Sequence, residues 1–214
     1  PQPGRTAGGD RSRPYTSPSA LMSEGYEAFD DPYVYPGTSV LRNRLGIRDA
    51  AGLEGFEVEA AHFRAEEGLP EGNFDAAHFS AVHRHLFGDV YEWAGTYRTV
   101  RIAKGTTMFC YPENIPAQMD ALFGGIEGGG RFRDVTVEEF VTRLAGFLAE
   151  LNAIHPFREG NGRTQVSFAG LIGAASGQPL QLRRVNPRTF LPAMVASFAG
   201  DLGPLVAELR LLRG

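Results

Sequence analysis

The chain has 214 residues, of which 43% are hydrophobic, with a formal net charge of −4 and one cysteine. That length supports one domain with a substantial core and is short for two. The acidic balance disfavours a general nucleic-acid binder, the lone Cys110 excludes an intrachain disulfide, and the longest smooth apolar run, 166–175, is too short to span a bilayer. No nucleic acid and no membrane are therefore expected among its partners. No signal-peptide pattern opens the chain, so the expected location is cytoplasmic unless a dedicated secretion system delivers it.

Residues 1–21 are rich in Pro, Gly, Ser, Thr and Arg and are expected to form a disordered tail. The composition changes at Met22, and 22–214 is the expected folded domain. Residues 30–37 carry two prolines and two tyrosines, which predicts an extended lead-in. Leu53, Phe56, Ala60 and Phe63 then fall on one helical face, with Asp49 near the start. Phe79, Val82 and Leu86 mark a second helix from about Asp75. Between them, His62, His78 and His83 read as packed core histidines.

A β-capable stretch follows: 99–102, then Lys104-Gly105-Thr106-Thr107, then Met108 and Phe109. Gly105 between these runs reads as a hairpin turn. Tyr91, Trp93 and Tyr97 read as packing residues. Ile115, Met119, Leu122 and Ile126 predict another helix, ended by the glycine cluster at 124–130. No Gly-Lys-Ser/Thr follows those glycines, so they read as a flexible connection rather than a phosphate loop.

Thr136 and Glu139 form a capping box at the head of the strongest helix. Its apolar stripe, from Phe140 to Ile154, is wide enough for a central buried helix. Pro156 stops it, because a residue before proline avoids the α region. The next helix is predicted over about 161–176, closed by Gly177 and Pro179. Asn186-Pro187 caps a helix to about Ala199, and a last helix covers about 204–212.

The segment His155-Pro-Phe-Arg-Glu-Gly-Asn-Gly-Arg163 carries most of the chemistry. Its glycines let backbone N–H groups approach an anion closely. It opens a helix, whose N-terminus offers unpaired N–H groups and partial positive charge. Arg163 adds a planar fork for phosphate oxygens. Glu159 is placed to hold a divalent cation, and His155 can take a proton near neutral pH. Arg158 reads as a solvated charge.

This segment resembles the signature of the Fic family, His-x-Phe-x-Asp/Glu-Gly-Asn-Gly-Arg-x-x-Arg. The stretches His83-Arg-His-Leu-Phe87 and Asp89-Val-Tyr-Glu-Trp-Ala-Gly95 are similar to the helix and turn before the family's flap, and 101–115 resembles the flap itself. The resemblance implies an all-α Fic helical bundle with a short β-hairpin flap beside the active-site loop. It implies a protein adenylyltransferase moving AMP from ATP, as co-substrate, to a Tyr, Ser or Thr hydroxyl of a target protein. In that scheme His155 is the catalytic base and Glu159 the ligand of Mg²⁺. Gly160, Asn161 and Gly162 line the anion hole, Arg163 grips the phosphates and Phe157 anchors the loop. The flap residues Arg101, Ile102, Lys104, Gly105, Thr106 and Met108 dock the target by strand addition.

Two positions depart from the family pattern. The second signature arginine is Val166 here, which leaves Arg163 or Arg188 as substitute cations. The self-inhibitory Ser/Thr-x-x-x-Glu-Gly/Asn signature is missing, since its nearest counterpart, 20–25, begins with Ala20. A toxin restrained by a separate small antitoxin, bearing a Ser-x-x-x-Glu-Gly helix, is the expected arrangement. Two alternatives stand beside it: an inactive Fic scaffold that binds nucleotide or a partner, favoured by Val166, and a transferase for a different phosphate-containing group, disfavoured by the intact Gly-Asn-Gly core.

Overall fold

The structure, a computed structural model, describes residues 31–105, 107–126 and 132–213. The expected tail at 1–21 lies outside the described residues. Among them are seven α-helices and one small antiparallel sheet. The lead-in turns back on itself at an isolated bridge between Val34 and Leu41.

Helix α1 (Ala50–Glu66) starts at Asp49, whose carboxylate accepts the Gly52 N–H at 2.6 Å. Helix α2 (Ala76–Phe87) starts in the same way at Asp75, which accepts the His78 N–H at 2.7 Å. Each cap satisfies one of the N–H groups that a helix start leaves open. Strands β1 (Ala103–Lys104) and β2 (Thr107–Met108) form the hairpin, with Lys104 opposite Thr107. Its turn uses Gly105 at φ +58°, a left-handed conformation that glycine adopts without a Cβ penalty.

A 3₁₀ turn at Pro112–Asn114 leads into α3 (Ile115–Gly124). The capping box at Thr136 and Glu139 then opens α4 (Val137–Ile154) with both reciprocal bonds made. Helices α5 (Asn161–Ala175), α6 (Pro187–Phe198, capped by Asn186) and α7 (Gly203–Arg213) complete the bundle. As its wide stripe predicts, α4 is central: it packs on α3, α5, α6 and α7. Phe140, Val141, Leu144 and Leu151 are fully enclosed.

Three expectations change. On α1 the buried face is Leu53, Glu57 and Ala61, whereas Phe63 is 61% exposed. The helix is turned so that a carboxylate, not Phe63, faces the core; the reason lies in the site below. His62 is not a core residue: it is exposed and sits 3.4 Å from Glu66 one turn on. The β-structure is shorter than the β-capable run, because 99–102 is irregular. There Ile102 turns into the core, and the Val100 carbonyl accepts from the Arg98 side chain instead of a strand.

The capping box supports the N-terminus of α4 from local residues. Thr136→Ala should cost about 1 kcal/mol. In a domain of this size that is a fall of roughly 2–4 °C in melting temperature, measurable by thermal denaturation, with helical content unchanged.

Candidate active site

Helix α4 ends at His155, whose backbone is left-handed (φ 49°, ψ 63°). Pro156 forbids helical continuation, and the left-handed turn throws the chain out of the helix axis. The loop then drops Phe157 into the core. Its ring is fully buried, stacked 3.7 Å from His83 and 5.6 Å from Phe79, centroid to centroid. The chain re-enters a helix at Gly160 (φ +81°), where a Cβ would lie 2.6 Å from the Phe87 ring. Both the dihedral and the contact require glycine.

Asn161 holds this loop closed. Its side-chain oxygen accepts the Phe157 N–H at 2.9 Å, and its amide donates to the Phe157 carbonyl at 2.8 Å. The Asn161 side chain is thus a brace, and only its backbone faces the helix start. Helix α5 has no capping side chain at Gly160 among the described residues. Its first intrahelical bonds close at Thr164, whose N–H and hydroxyl both reach the Gly160 carbonyl, at 3.1 and 2.8 Å. The N–H groups of Asn161, Gly162 and Arg163 precede that closure and form the open positive end of the helix.

The charged groups converge on this end. His155 is buried, its ring stacked on Phe109 at 4.1 Å. Its Nδ1–H donates to the Asn152 carbonyl at 3.2 Å, which fixes the tautomer with the lone pair on Nε2. Burial above all pushes its pKa down to about 3, so the ring is neutral at physiological pH. Glu159 receives the Gly160 N–H at 2.9 Å and lies 4.0 Å from Arg163. Burial and the nearby Glu57 push its carboxyl up to about 7.

Arg163 does not project into open space. Its guanidinium lies over the Phe87 ring, 4.7 Å from the centroid, and pairs with Glu57. Glu57 in turn accepts a hydrogen bond from the Tyr91 hydroxyl. The remaining terminal nitrogen, Nη1, is buried with no hydrogen-bond partner among the described residues.

Glu57 is the functional residue that sequence reasoning missed. The signal was available: it stands four residues from both Leu53 and Ala61, a carboxylate on the apolar face of α1. Tyr91 is more than packing for the same reason. His83 is a core histidine as expected, yet it also carries the loop: it accepts the Gly95 N–H at 2.8 Å on Nδ1 and donates from Nε2 to the Glu159 carbonyl at 2.9 Å. Arg158 is not solvated. It is buried and paired with Asp31 at 2.7 Å, tying the lead-in to the loop.

The flap residues divide. Arg101 is exposed, near Glu113 at 3.6 Å and over the Tyr111 ring. Met108 is 52% exposed and Gly105 lies in open space. Lys104 is partly covered, whereas the Ile102 side chain is buried and anchors the hairpin. Thr106 lies outside the described residues. Val166 is partly buried and packs against the core, and Arg188 is exposed on α6.

Among the described residues no group of three or more His, Cys, Asp or Glu side chains is placed to hold a metal ion. Glu159 nevertheless fits Mg²⁺, which commonly takes one or two carboxylates and completes its shell with phosphates and water. Burial above all, and the charge of Glu57 after it, raise its pKa, and a cation would relieve the second of these.

A helical bundle that sets a neutral base and a carboxylate around an open helix N-terminus, with a hairpin alongside, is a phosphate-handling scaffold of defined type. The Fic/DOC family profile matches residues 73–172. A probable protein adenylyltransferase of Sinorhizobium fredii, y4lH, is 48% identical over 186 residues, which cover 86% of this chain and 97% of that protein. The protein adenylyltransferase VbhT of Bartonella schoenbuchensis is 36% identical over 86% of this chain but only 39% of its own length. The structure of BepC from Bartonella tribocorum with bound AMPPNP superposes with a TM-score of 0.77 at 25% identity, covering 84% of this chain and 95% of that one. The chain belongs to the Fic/DOC family.

Two measurements follow from the buried charges. His83 and His155 sit near pKa 3 in the folded protein against a usual 6.5. The unfolded chain therefore takes up protons that the folded one refuses, and stability present above pH 6.5 is lost as pH falls toward 3. Glu159 opposes this between its usual 4.5 and about 7, where the folded state holds its proton. Urea denaturation should show net uptake of about one proton on unfolding near pH 5.5, where each proton is worth about 1.4 kcal/mol per pH unit, steepening below about 4.5. In the second, Glu57→Ala should cost about 3 kcal/mol, because it strands a largely buried guanidinium. Glu57→Gln should cost less, since its amide oxygen can still accept from Arg163 while its NH2 donates to the Tyr91 hydroxyl oxygen. Denaturant midpoints of the two variants compare them directly.

Proposed function

We propose that the protein is an adenylyltransferase that moves AMP from ATP to a hydroxyl side chain of a target protein. The observation that carries this reading is the tautomer of His155. With Nδ1–H donated to the Asn152 carbonyl, the ring lone pair lies on Nε2, the nitrogen that takes the proton. The target hydroxyl oxygen attacks the α-phosphorus of ATP as its proton passes to His155 Nε2. The bond from the α-phosphorus to the bridging oxygen breaks, and pyrophosphate leaves. Burial keeps the free ring neutral at physiological pH, with its lone pair unprotonated.

The N–H groups at the start of α5 receive phosphate oxygens, since they are oriented before the ligand arrives and need no reorganisation. Arg163, held by Glu57 and Phe87, offers its remaining donors from a fixed position. Mg²⁺, held by Glu159, would neutralise charge on the α- and β-phosphates. The hairpin, with Gly105 at its open tip and Met108 exposed, receives an extended segment of the target along its edge. The relatives named as adenylyltransferases and the AMPPNP-bound neighbour support the nucleotide and the reaction.

Val166 leaves the site one cation poorer than the family signature, so the cation bound at Glu159 carries more of the phosphate charge. The same valine gives an inhibitory glutamate from an antitoxin no arginine at this position to pair with. A toxin held by a separate small antitoxin remains the proposed physiological setting, with the cytoplasm as its place of action.

Incubating the protein with α-labelled ATP and a bacterial lysate tests the reading. The unmutated protein should label one or a few proteins, each gaining the mass of AMP. His155→Ala should lower labelling about 10²–10⁴-fold while ATP affinity by calorimetry persists. Glu159→Ala should raise the Mg²⁺ concentration needed for half-maximal labelling. Undiminished labelling by His155→Ala would reject the assignment of the base.

A further inference from the structure

We propose that Arg98 is the positioning residue that locks His155 in its left-handed turn and ties it to the flap. No sequence motif draws attention to this arginine. It is nonetheless one of the largest fully buried side chains, 2% exposed.

Its side chain donates to four backbone carbonyls. Nε donates to the His155 carbonyl at 2.8 Å. One terminal nitrogen donates to Val100 at 2.7 Å, and the other to Cys110 at 2.6 Å and Ile154 at 3.2 Å. The Arg98 backbone N–H reaches the Pro156 carbonyl at 2.9 Å. One residue therefore holds three consecutive carbonyls of the turn, at 154, 155 and 156. The same guanidinium holds the two arms that enter and leave the hairpin, at Val100 and Cys110.

The end of α4 shows why this matters. A helix leaves its last four carbonyls without intrahelical donors. Here Leu151 receives the His155 N–H at 3.0 Å, and Asn152 receives the His155 ring. Ala153 receives the Cys110 N–H at 3.1 Å, and Ile154 receives Arg98. The base, the flap and the arginine together cap one helix end. A guanidinium also suits the negative end of a helix dipole. A left-handed, non-glycine residue is disfavoured locally and persists only where its surroundings over-determine it. Arg98 supplies that determination at the His155 carbonyl itself. Phe109, next to Cys110, completes the link by stacking on the His155 ring at 4.1 Å.

The flap and the base thus share one network of contacts. A target strand that seats on the hairpin bears on the same carbonyl network that aims Nε2. This inference rests on the transfer reading above, and its test has a readout that does not.

Arg98→Lys keeps a buried cation but loses the planar fork that spans four acceptors. Arg98→Met removes the charge as well. We expect Arg98→Lys to retain its circular dichroism spectrum and its ATP affinity by calorimetry. Its label transfer should fall about 10²-fold, the cost of a base displaced by about 1 Å. Heteronuclear NMR of the histidine rings should show His155 leaving its single Nδ1–H tautomer. Full transfer and an unchanged tautomer in Arg98→Lys would overturn the proposal. So would parallel loss of transfer and ATP affinity, which would mark a general stability role. In the unmutated protein the Arg98 Nε proton should be protected from exchange at pH 7; rapid exchange would overturn the proposal even if Arg98→Met does not fold. If the unmutated protein transfers nothing, the functional reading fails, while the tautomer still decides the positioning role.

Discussion

A helix that ends inside a protein must find donors for its last carbonyls, and the rest of this site depends on how α4 meets that demand. The chain cannot continue the helix, because proline follows His155. It turns left-handed instead, and the imidazole folds back onto Asn152. The cap is therefore also the catalytic candidate. Its tautomer is set at the helix end, by the Asn152 carbonyl. The desolvation that makes the cap worth forming also keeps the ring neutral.

The loop that follows is fixed from beneath. Phe157 is buried between His83 and Phe79, and Asn161 clamps its backbone from the α5 side. Two helix ends, one offering carbonyls and the other N–H groups, are thereby brought within a single short loop. That is a polar arrangement with opposite partial charges at its two sides. His155 stands at the carbonyl end and the open N–H groups of α5 at the other, which is the order the proposed attack on a bound phosphate needs.

The electrostatics around Arg163 are less generous than the signature suggests. Two glutamates share one guanidinium, and the position where the family has another arginine is valine. Glu57 fixes the direction of the guanidinium and removes part of its charge from the ligand. Burial and the proximity of Glu57 leave Glu159 reluctant to ionise alone. Under the proposed function, the anion arrives with its own cation, as a nucleotide phosphate does.

Much of this was legible in the sequence. Helix starts at Asp49, Asp75, Thr136 and Asn186 were visible because capping is chemistry within three or four residues. The stop at Pro156 and the glycine at 160 were legible for the same local reason, as was the short loop that joins His155 and Glu159 to the start of α5. Contacts across the chain were not legible. Glu57 meets Arg163 from 106 residues away, Arg158 meets Asp31 from 127, and Arg98 reaches the end of α4 from 56. Arg158 read as a solvated charge, and nothing marked Glu57 or Arg98, because side-chain type alone does not reveal what a folded neighbour offers. Local sequence determined which segments are helices and which loop holds the reacting groups. Tertiary packing alone decided which charges are buried, what they pair with and where the base is aimed, since burial and pairing are properties of surfaces brought together only by folding.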